Sequence, residues 1–302
     1  MLRRVRHATR DRVVRAVQEA LAAELAGVRG ELAATRAEVS AVAGQLSRLE
    51  ERVSEVGGGL HGHLTAWERR NRRDVLTAAD WQAISTSADF FRAELTDATA
   101  HFDKYDTLRA ALQQAPAEGL YLEFGVASGA TLRVITEHAP AGSVHGFDSF
   151  EGLPEHWRSG FTVGAFAAEQ LPDVPGAELV VGLFDQTLPG FLATHDEPVA
   201  FLHLDADLYS STVTVLTALA PRMRAGTVLL FDEYFNFPGW EAHEHRAWQE
   251  FVQATGVEFE YLGFTADDEQ LSLRLLTAPV LPAPLAEPGQ FGTSRLRESA
   301  RV

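Results

Sequence analysis

The stretch Tyr121-Leu-Glu-Phe-Gly-Val-Ala-Ser-Gly-Ala-Thr-Leu-Arg133 decides the expected fold. Its first part, 121–126, is a short apolar run that contains one acid, Glu123, and a helical pattern begins at Thr131. A strand, a tight turn of small residues and a helix form the opening of a nucleotide-binding α/β unit. Such a turn lets the backbone approach a ligand, and the helix N-terminus offers it free N–H groups. The small residues expected at the ligand are Gly125, Ala127, Ser128 and Gly129.

The glycine spacing of this turn differs from the dinucleotide fingerprint G-x-G-x-x-G. Gly125 and Gly129 stand four apart, and Ala127 occupies the place of the second glycine. Taken alone, the turn also fits any buried junction between a strand and a helix. A nicotinamide-dependent oxidoreductase on a similar sheet is therefore a disfavoured alternative, and the ligand must be inferred from the other strand ends.

Composition limits the classes of protein that the chain can belong to. The net charge of −16 over 302 residues argues against a nucleic-acid partner. The chain has no cysteine, which excludes disulfides, thiolate metal sites and a cysteine nucleophile. No apolar run reaches the roughly 18 residues of a membrane span, and no apolar segment follows the N-terminal arginines as in a secretory signal. We therefore expect a cytoplasmic protein.

Residues 1–56 are predicted to form a coiled-coil oligomerisation helix. Apolar residues recur at alternating steps of four and three from Leu21 to Val56. A lone helix with so narrow a stripe needs a partner, so we expect self-association; the alternative is a helix folded against its own domain. Gly57-Gly58-Gly59 is expected to end this helix and to begin a linker. The heptad residues are Leu21, Leu25, Val28, Leu32, Thr35, Val39, Val42, Leu46, Leu49, Val53 and Val56.

The two ends of the chain have biased compositions. Six arginines and a single acid lie within residues 1–15, which fits weak contact with an anionic lipid surface or simply a solvated helix end. The region from Thr277 is rich in proline and then polar, so 279–302 is expected to be a loose tail. Between the coiled coil and the α/β domain, 57–85 is predicted to be a linker and lead-in.

An α/β domain is predicted over 86–278. Residues 81–115 look helical, and strands and helices then alternate regularly. Five β-α steps imply a parallel sheet with helices on both faces, and two closing strands joined by a short acidic turn imply an antiparallel hairpin. The predicted strands are 121–126, 143–148, 178–184, 199–205, 227–232, 258–264 and 270–276. The predicted helices after the first strand are 130–138, 187–195, 210–221 and 241–255.

Acidic residues follow several of the predicted strands. Asp148 ends the second strand and lies where an acid can bind the ribose hydroxyls of a nucleoside. Four more carboxylates end two neighbouring strands, and like charges at one place favour a bound cation. All-oxygen ligation favours Mg²⁺, although Mn²⁺ or Ca²⁺ would also fit. The alternative is that Asp207 caps the helix near Ser210 and Glu233 faces solvent. The four carboxylates are Asp205, Asp207, Asp232 and Glu233.

Four segments carry a combined pattern within about residues 105–276. They read Glu-Phe-Gly-Val-Ala-Ser-Gly (123–129), Phe-Asp-Ser-Phe-Glu-Gly-Leu-Pro (147–154), Leu-Asp-Ala-Asp-Leu-Tyr-Ser-Ser-Thr (204–212) and Phe-Asp-Glu-Tyr (231–234). Together they resemble the macrocin O-methyltransferase family, class I enzymes that use S-adenosylmethionine (SAM) to methylate sugar hydroxyls on natural products. The resemblance implies a Rossmann-like, seven-stranded α/β sheet with an antiparallel last strand, here preceded by the coiled coil.

The resemblance also implies roles for individual residues. Glu123, Gly125 and Gly129 would border the methionine part of SAM, with Ala127, Ser128 and Ser149 beside them. Asp148 would bind the ribose, and Phe184 would lie near the adenine. The magnesium ligands would be Asp205, Asp232 and Glu233, although the family has Asp-Asp-Tyr where this chain has Asp232-Glu233-Tyr234.

The acceptor hydroxyl needs a base, because a sugar hydroxyl is a poor nucleophile while protonated. The candidates are Asp205 and then His243 or His245, whereas His203 is interpreted as a core histidine. Tyr209, Trp240 and Trp248 are candidates for the acceptor wall, with core packing the favoured role of Trp248. The leading hypothesis is a SAM-dependent O-methyltransferase assisted by Mg²⁺, acting on a sugar or a glycosylated natural product. A non-catalytic SAM-binding coiled-coil scaffold is a further alternative.

Overall fold

The structure is a computed structural model that describes the backbone of residues 2–281 and the side chains of residues 12–281. The chain divides into two units at Asp74. The arginine side chains before residue 12 and most of the predicted tail lie outside the described residues. None of the described helices combines the length and the apolar content that a membrane crossing requires.

The first unit is a single helix, α1, which spans Leu2–Arg73. The predicted helix end at Gly57-Gly58-Gly59 is therefore wrong. None of the three glycines has the positive φ that would end a helix. Each glycine costs roughly 1 kcal/mol relative to alanine, but helix-forming sequence continues on both sides. The helix ends instead on Arg70, Arg72 and Arg73, whose charges complement the negative end of its dipole.

The second unit begins with α2, and its elements lie close to their predicted bounds. From Leu120 onward, element ends shift by at most three residues. The helices are α2 (Val75–Glu94), α3 (Lys104–Leu112), α4 (Ala130–His138), α5 (Phe184–Leu192), α6 (Tyr209–Leu219) and α7 (Glu244–Thr255). The strands are β1 (Thr99–His101), β2 (Leu120–Phe124), β3 (Val144–Asp148), β4 (Ala177–Val181), β5 (Val199–Leu204), β6 (Val228–Phe231), β7 (Phe259–Thr265) and β8 (Leu271–Leu275).

In the described part of the chain the sheet has eight strands, in the order β1-β7-β8-β6-β5-β2-β3-β4. The prediction of an α/β sheet with an antiparallel last strand is confirmed, because β8 runs antiparallel to both β6 and β7 and every other pair is parallel. The expected number of seven is wrong. The extra strand, β1, is three residues at the sheet edge, within a segment that had been predicted to be helical, and so short a strand has no periodicity to detect.

Helices cover both faces of this sheet. On one face, α3 and α4 pack on the sheet through Leu108, Leu112, Leu132 and Ile135. On the other face, α5, α6 and α7 pack on it through Leu188, Val215, Leu216, Trp248 and Phe251. The strand β5 is buried at all six positions, which explains its continuous run of apolar residues around His203.

One charged pair is buried in the centre of the sheet. Glu123 on β2 and His203 on β5 are register partners, and neither side chain is exposed. The Nδ1–H of His203 donates to Glu123 Oε1 at 2.8 Å, and Nε2 lies 3.6 Å from Asp232 Oδ1. Burial lowers the pKa of His203, but hydrogen bonding and charge from Asp232 and Glu123 outweigh burial and raise it to about 10. His203 is thus a core residue, as predicted, and it carries a positive charge at neutral pH.

Removing one partner of this pair should strongly destabilise the second unit. We expect H203L to lower the free energy of unfolding by about 3–5 kcal/mol, because the Glu123 carboxylate would stay buried without its partner. The double variant E123L/H203L should lose less than the sum of the two single losses. Guanidinium unfolding at constant pH measures all three variants. Strictly additive losses would show that the two side chains are not coupled.

Candidate active site

A cavity of about 710 Å³ opens beyond the carboxyl ends of β2, β3, β5 and β6, where ligands bind in open parallel sheets. This volume lies in the range of small-molecule sites. The cavity is lined by Lys104, Gly125, Ala127, Asp148, Ser149, Gly152, Leu153, Pro154, Trp157, Arg158, Phe161, Phe166, Gly182, Leu183, Phe184, Asp185, Asp205, Ala206, Asp207, Ser210, Ser211, Thr214, Asp232 and Glu233.

The turn after β2 is held against the neighbouring strand ends. Gly125 has φ 95°, and a Cβ there would lie 1.7 Å from the carbonyl oxygen of Asp205, so only glycine permits this approach. Asp148 fixes the turn from the other side, because its Oδ2 accepts hydrogen bonds from the N–H groups of Val126 and Ala127 at 2.9 and 2.8 Å. Its Oδ1 accepts from Phe150 N–H at 2.7 Å. The turn is therefore preorganised by its neighbours.

Five of the eight residues predicted at the cofactor line the cavity: Gly125, Ala127, Asp148, Ser149 and Phe184. The other three do not. Glu123 is engaged with His203, and the Ser128 carbonyl accepts from Arg133. Gly129 begins α4 with φ 73°, and a Cβ there would lie 2.6 Å from Val174, so its role is to start the helix.

The cavity end near Asp148 fits a nucleoside. Each carboxylate oxygen has two acceptor sites, so Asp148 keeps capacity for a ribose hydroxyl while it holds the turn. Phe184 begins α5 and offers an aromatic edge on the same side of the cavity, where it packs edge-on against Phe124 at 5.1 Å between ring centroids. Asp185, which sequence reasoning did not single out, lines the cavity beside it. These groups can supply both polar and aromatic contacts to a bound nucleoside.

Carboxylates gather at the other end of the cavity. One oxygen each of Asp205, Asp207 and Glu233 lie within 4.8 Å of one another, and ligand atoms of His203, Asp205 and Asp232 form a second such group. Burial, then the charge of Asp232, raises the pKa of Asp205 well above its usual range. Burial, then the charges of Asp205 and Asp232, does the same to the pKa of Glu233. Two acids with raised pKa values side by side can share a proton or bind a cation.

Asp232 differs from its neighbours because cations already face both of its oxygens. Its Oδ1 lies 3.6 Å from His203 Nε2, and its Oδ2 lies 3.6 Å from Lys104 Nζ. Burial raises the pKa of Asp232, but His203 and then Lys104 outweigh burial and lower it. Sequence reasoning missed Lys104. The one available signal was that this residue is the only lysine in a chain that otherwise uses arginine.

The residues at this end fit a hard divalent cation. Glu233 Oε2 is buried and has no hydrogen-bond partner among the described residues. The backbone N–H of Glu233 donates to the buried carboxyl of Glu244 at 3.1 Å, which orients this loop. Asp207 does not cap α6, because the cap residue is Leu208 and no side chain bonds there. Burial raises the pKa of Asp207 to about 7, against the opposing charge of Arg158. Carboxylate oxygens without other partners are the ligands that Mg²⁺ prefers.

A long irregular segment, 149–176, contributes eight of the residues that line the cavity; we call it the lid. It connects the parallel strands β3 and β4 without a helix, and connections of this length are often functional. Arg158 ties the lid down, since its guanidinium donates two hydrogen bonds of 3.0 Å to the Glu269 carboxylate on the β7–β8 turn. The guanidinium also lies 4.0 Å from the ring of Trp157 and 4.5 Å from that of Phe237. Sequence patterns indicated a role for the first residues of the lid, up to Pro154, and for none of its later residues.

The predicted histidine bases do not line the cavity. His245 packs among the rings of Phe90, Tyr234 and Trp240, and burial lowers its pKa to about 4. His243 lies against Phe237, and burial lowers its pKa as well. Of the three residues expected at the acceptor wall, none lines the cavity either. Tyr209 donates to Glu250, the Trp240 indole donates to Thr86, and Trp248 is a core residue.

Comparison with known proteins agrees with this geometry. Residues 122–234 match a family model described as a methyltransferase domain. The matched residues run from β2 to the Phe-Asp-Glu-Tyr segment at the end of β6, which is the part of the α/β unit that carries most of the cavity lining. Among curated proteins the comparison finds no match.

Several solved structures are similar to this chain at low identity. Calicheamicin methyltransferase CalS11 has 23% identity, with 56% of this chain and 76% of that chain covered and a TM-score of 0.44. The O-methyltransferase NovP has 22% identity, coverages of 57% and 78%, and a TM-score of 0.44. The O-methyltransferase TomG from Streptomyces achromogenes has 18% identity, coverages of 66% and 89%, and a TM-score of 0.41. At these values the similarities carry no conclusion about the acceptor.

Removing the Arg158 contact should free the lid. We expect R158A to speed hydrogen exchange in 149–176 by about 10- to 100-fold, because a partly buried, charge-assisted hydrogen bond contributes roughly 1.5–3 kcal/mol. E269Q should have a smaller effect in the same segment. Exchange in β2 and β5 serves as the internal control. Equal acceleration in those strands would mean global destabilisation instead of lid opening.

His245 should make stability depend on pH. The unfolded chain takes up a proton on this residue below about pH 6.5, whereas the folded chain does so only below about pH 4. Stability is therefore lost as the pH falls from 6.5 towards 4, and H245F should remove about 1–2 kcal/mol of the loss between pH 7 and 5. Urea unfolding at both pH values measures this difference. The exposed variant H156Q is the control. If H245F loses as much stability between pH 7 and pH 5 as the parent does, the assignment is wrong.

Proposed function

We propose that this chain is a SAM-dependent O-methyltransferase that transfers a methyl group to a hydroxyl of a sugar or glycosylated natural product, with the assistance of Mg²⁺. One observation carries the proposal. The preorganised turn after β2 and the carboxylates after β5 and β6 line the same cavity. This arrangement supports a donor site and a metal-assisted acceptor site side by side. The methyltransferase-domain match over 122–234 supports the donor half of this proposal.

The donor is proposed to lie along the turn after β2. Gly125 and Ala127 line this part of the cavity and leave room for the ligand. Asp148 is suited to accept from ribose hydroxyls, and Phe184 and Leu183 are suited to lie against the base. When bound, SAM supplies a methyl group that is already activated for transfer, and Mg²⁺ lowers the pKa of a hydroxyl that it touches. The chain therefore mainly has to align the acceptor and remove one proton.

Asp205 is the proposed base. It lines the cavity, and its backbone lies against Gly125 of the donor turn, so the proton of a hydroxyl aligned with the donor has an acceptor there. The proton of the acceptor hydroxyl would pass to a carboxylate oxygen of Asp205. We propose Asp205 in place of the two histidine candidates, because the rings of His243 and His245 pack against aromatic side chains.

Asp205, Glu233 and Asp232 are the proposed metal ligands. Asp205 and Glu233 have raised pKa values, and the positive charge of a bound divalent cation would lower them. Asp232 would complete the set when Lys104, whose side chain is 36% exposed, withdraws from it. Asp207 is an alternative third ligand, since its oxygen already lies near those of Asp205 and Glu233.

The acceptor is proposed to bind under the lid. The lid contributes the aromatic rings of Trp157, Phe161 and Phe166 to the cavity. Opposite them, α6 contributes the hydroxyl groups of Ser210, Ser211 and Thr214. Aromatic faces and hydroxyl groups together suit a molecule that has both apolar faces and many hydroxyls, such as a glycoside.

Methyl transfer to glycosides tests the proposal directly. We expect transfer of labelled methyl from SAM, and a loss of about 100-fold or more in kcat for D205N, because a positioned base contributes roughly 10²–10⁴-fold. The exposed variant D97N is the matched control and should keep parent activity. Calorimetry should detect binding of SAM and none of NAD. Full turnover by D205N, or binding of NAD alone, would overturn the proposal.

The proposed metal site is tested separately. Binding of Mn²⁺ in the absence of acceptor is measured by electron paramagnetic resonance. D232N should weaken binding, whereas K104A should tighten it by about tenfold, because it removes a positive charge beside the site. Chelation should abolish methyl transfer by the parent. If chelation leaves transfer intact and K104A binds Mn²⁺ like the parent, the metal role fails while the transferase assignment stands.

A further inference from the structure

The helix α1 carries an apolar stripe that nothing in the described chain covers. Side chains along it from Leu21 to Trp67 are 50–71% exposed. The stripe keeps its heptad phase through the three glycines, since Leu60 and Trp67 follow Val53 at steps of seven. Positions a are Leu25, Leu32, Val39, Leu46, Val53, Leu60 and Trp67, and positions d are Leu21, Val28, Thr35, Val42, Leu49, Val56 and His63. Such a stripe is the seam of a coiled coil.

Between Glu24 and Arg36, charged residues flank this seam in a regular order. Glu24 and Glu31 occupy positions g, and Arg29 and Arg36 occupy positions e. In a parallel, in-register coiled coil, each g residue faces the e residue of the following heptad on the other helix. Glu24 of one copy would therefore face Arg29 of the other, and Glu31 would face Arg36. By symmetry, one pair of helices makes each contact twice.

These four side chains have no oppositely charged neighbour on their own helix. Neighbours on a helix surface are three or four residues apart, and the residues at those distances from all four are uncharged. Among the described residues, none of the four takes part in an ion pair; the ion pair within α1 joins Arg72 and Glu68. Their arrangement is therefore explained by a partner with the complementary rows of charge.

We infer that α1 pairs in parallel and in register with α1 of a second copy of this chain. The second copy is the occupant that supplies both an equal apolar stripe and arginines opposite the glutamates. An antiparallel copy would set g opposite g and e opposite e, and would lose the contacts between neighbouring g and e rows. The pairing requires no contribution from the proposed methyl transfer.

Cross-linking tests the orientation. The chain has no cysteine, so a single introduced thiol reports only its own position. V42C at position d faces Val42 of a parallel, in-register partner and should give a covalent dimer on mild oxidation. A37C at the outward position f is the matched control; it should still pair but should give no covalent dimer on oxidation. Equal yields from the two variants, or a monomeric parent in sedimentation, would overturn the inference.

Charge exchange tests the pairing. E24R/E31R places arginine on both sides of the seam, and R29E/R36E places glutamate there. Each variant alone should self-associate at least about tenfold more weakly than the parent, because opposite charges are replaced by like ones. An equimolar mixture should recover association, since the two rows are complementary again. Circular dichroism checks that both variants remain helical. If they do and the mixture still fails to associate, the proposed register is wrong.

Discussion

A buried chain of charges, Glu123–His203–Asp232, is the constraint on which the site depends. It runs across three adjacent strands, β2, β5 and β6, inside a sheet that is otherwise apolar at its centre. A charged imidazolium in that position is tolerable only with acids on both sides, because the cost of burying a lone charge is large. The chain of charges thereby fixes Asp232 at the edge of the cavity and engages the Oε1 atom of Glu123.

Charge balance then shapes the rest of the site. His203 and Lys104 neutralise Glu123 and Asp232, and Arg158 opposes the charge on Asp207. Asp205 and Glu233 are left close together with raised pKa values. A surplus of negative charge of this kind favours a bound cation or a shared proton. The proposed base and the proposed metal site therefore both follow from this local surplus of negative charge.

The sequence predicted what depends on local order. The carboxyl end of each strand can be located in the sequence, and in a parallel sheet these ends meet at one edge. Four acids could therefore be assigned to that edge: Asp148, Asp205, Asp232 and Glu233. Contacts that join distant segments could not be predicted. Lys104 reaches Asp232 only after β1 and α3 dock, and Arg158 finds Glu269 across 111 residues. The triglycine was misread because a helix tolerates glycine when its neighbours continue the pattern.

The two histidines illustrate the limit of reading chemistry from residue type. His203 lies on a buried strand and carries a charge, whereas His245, on a helix near the site, is kept neutral by its aromatic neighbours. The pattern Leu202-His203-Leu204 indicated burial but could not indicate that Glu123 lies opposite in the sheet. The protonation state of each imidazole follows from its partners across strands, and register is set by the whole sheet. The residue type indicates which roles a histidine can have, and its neighbours in the folded chain determine whether it is charged or neutral.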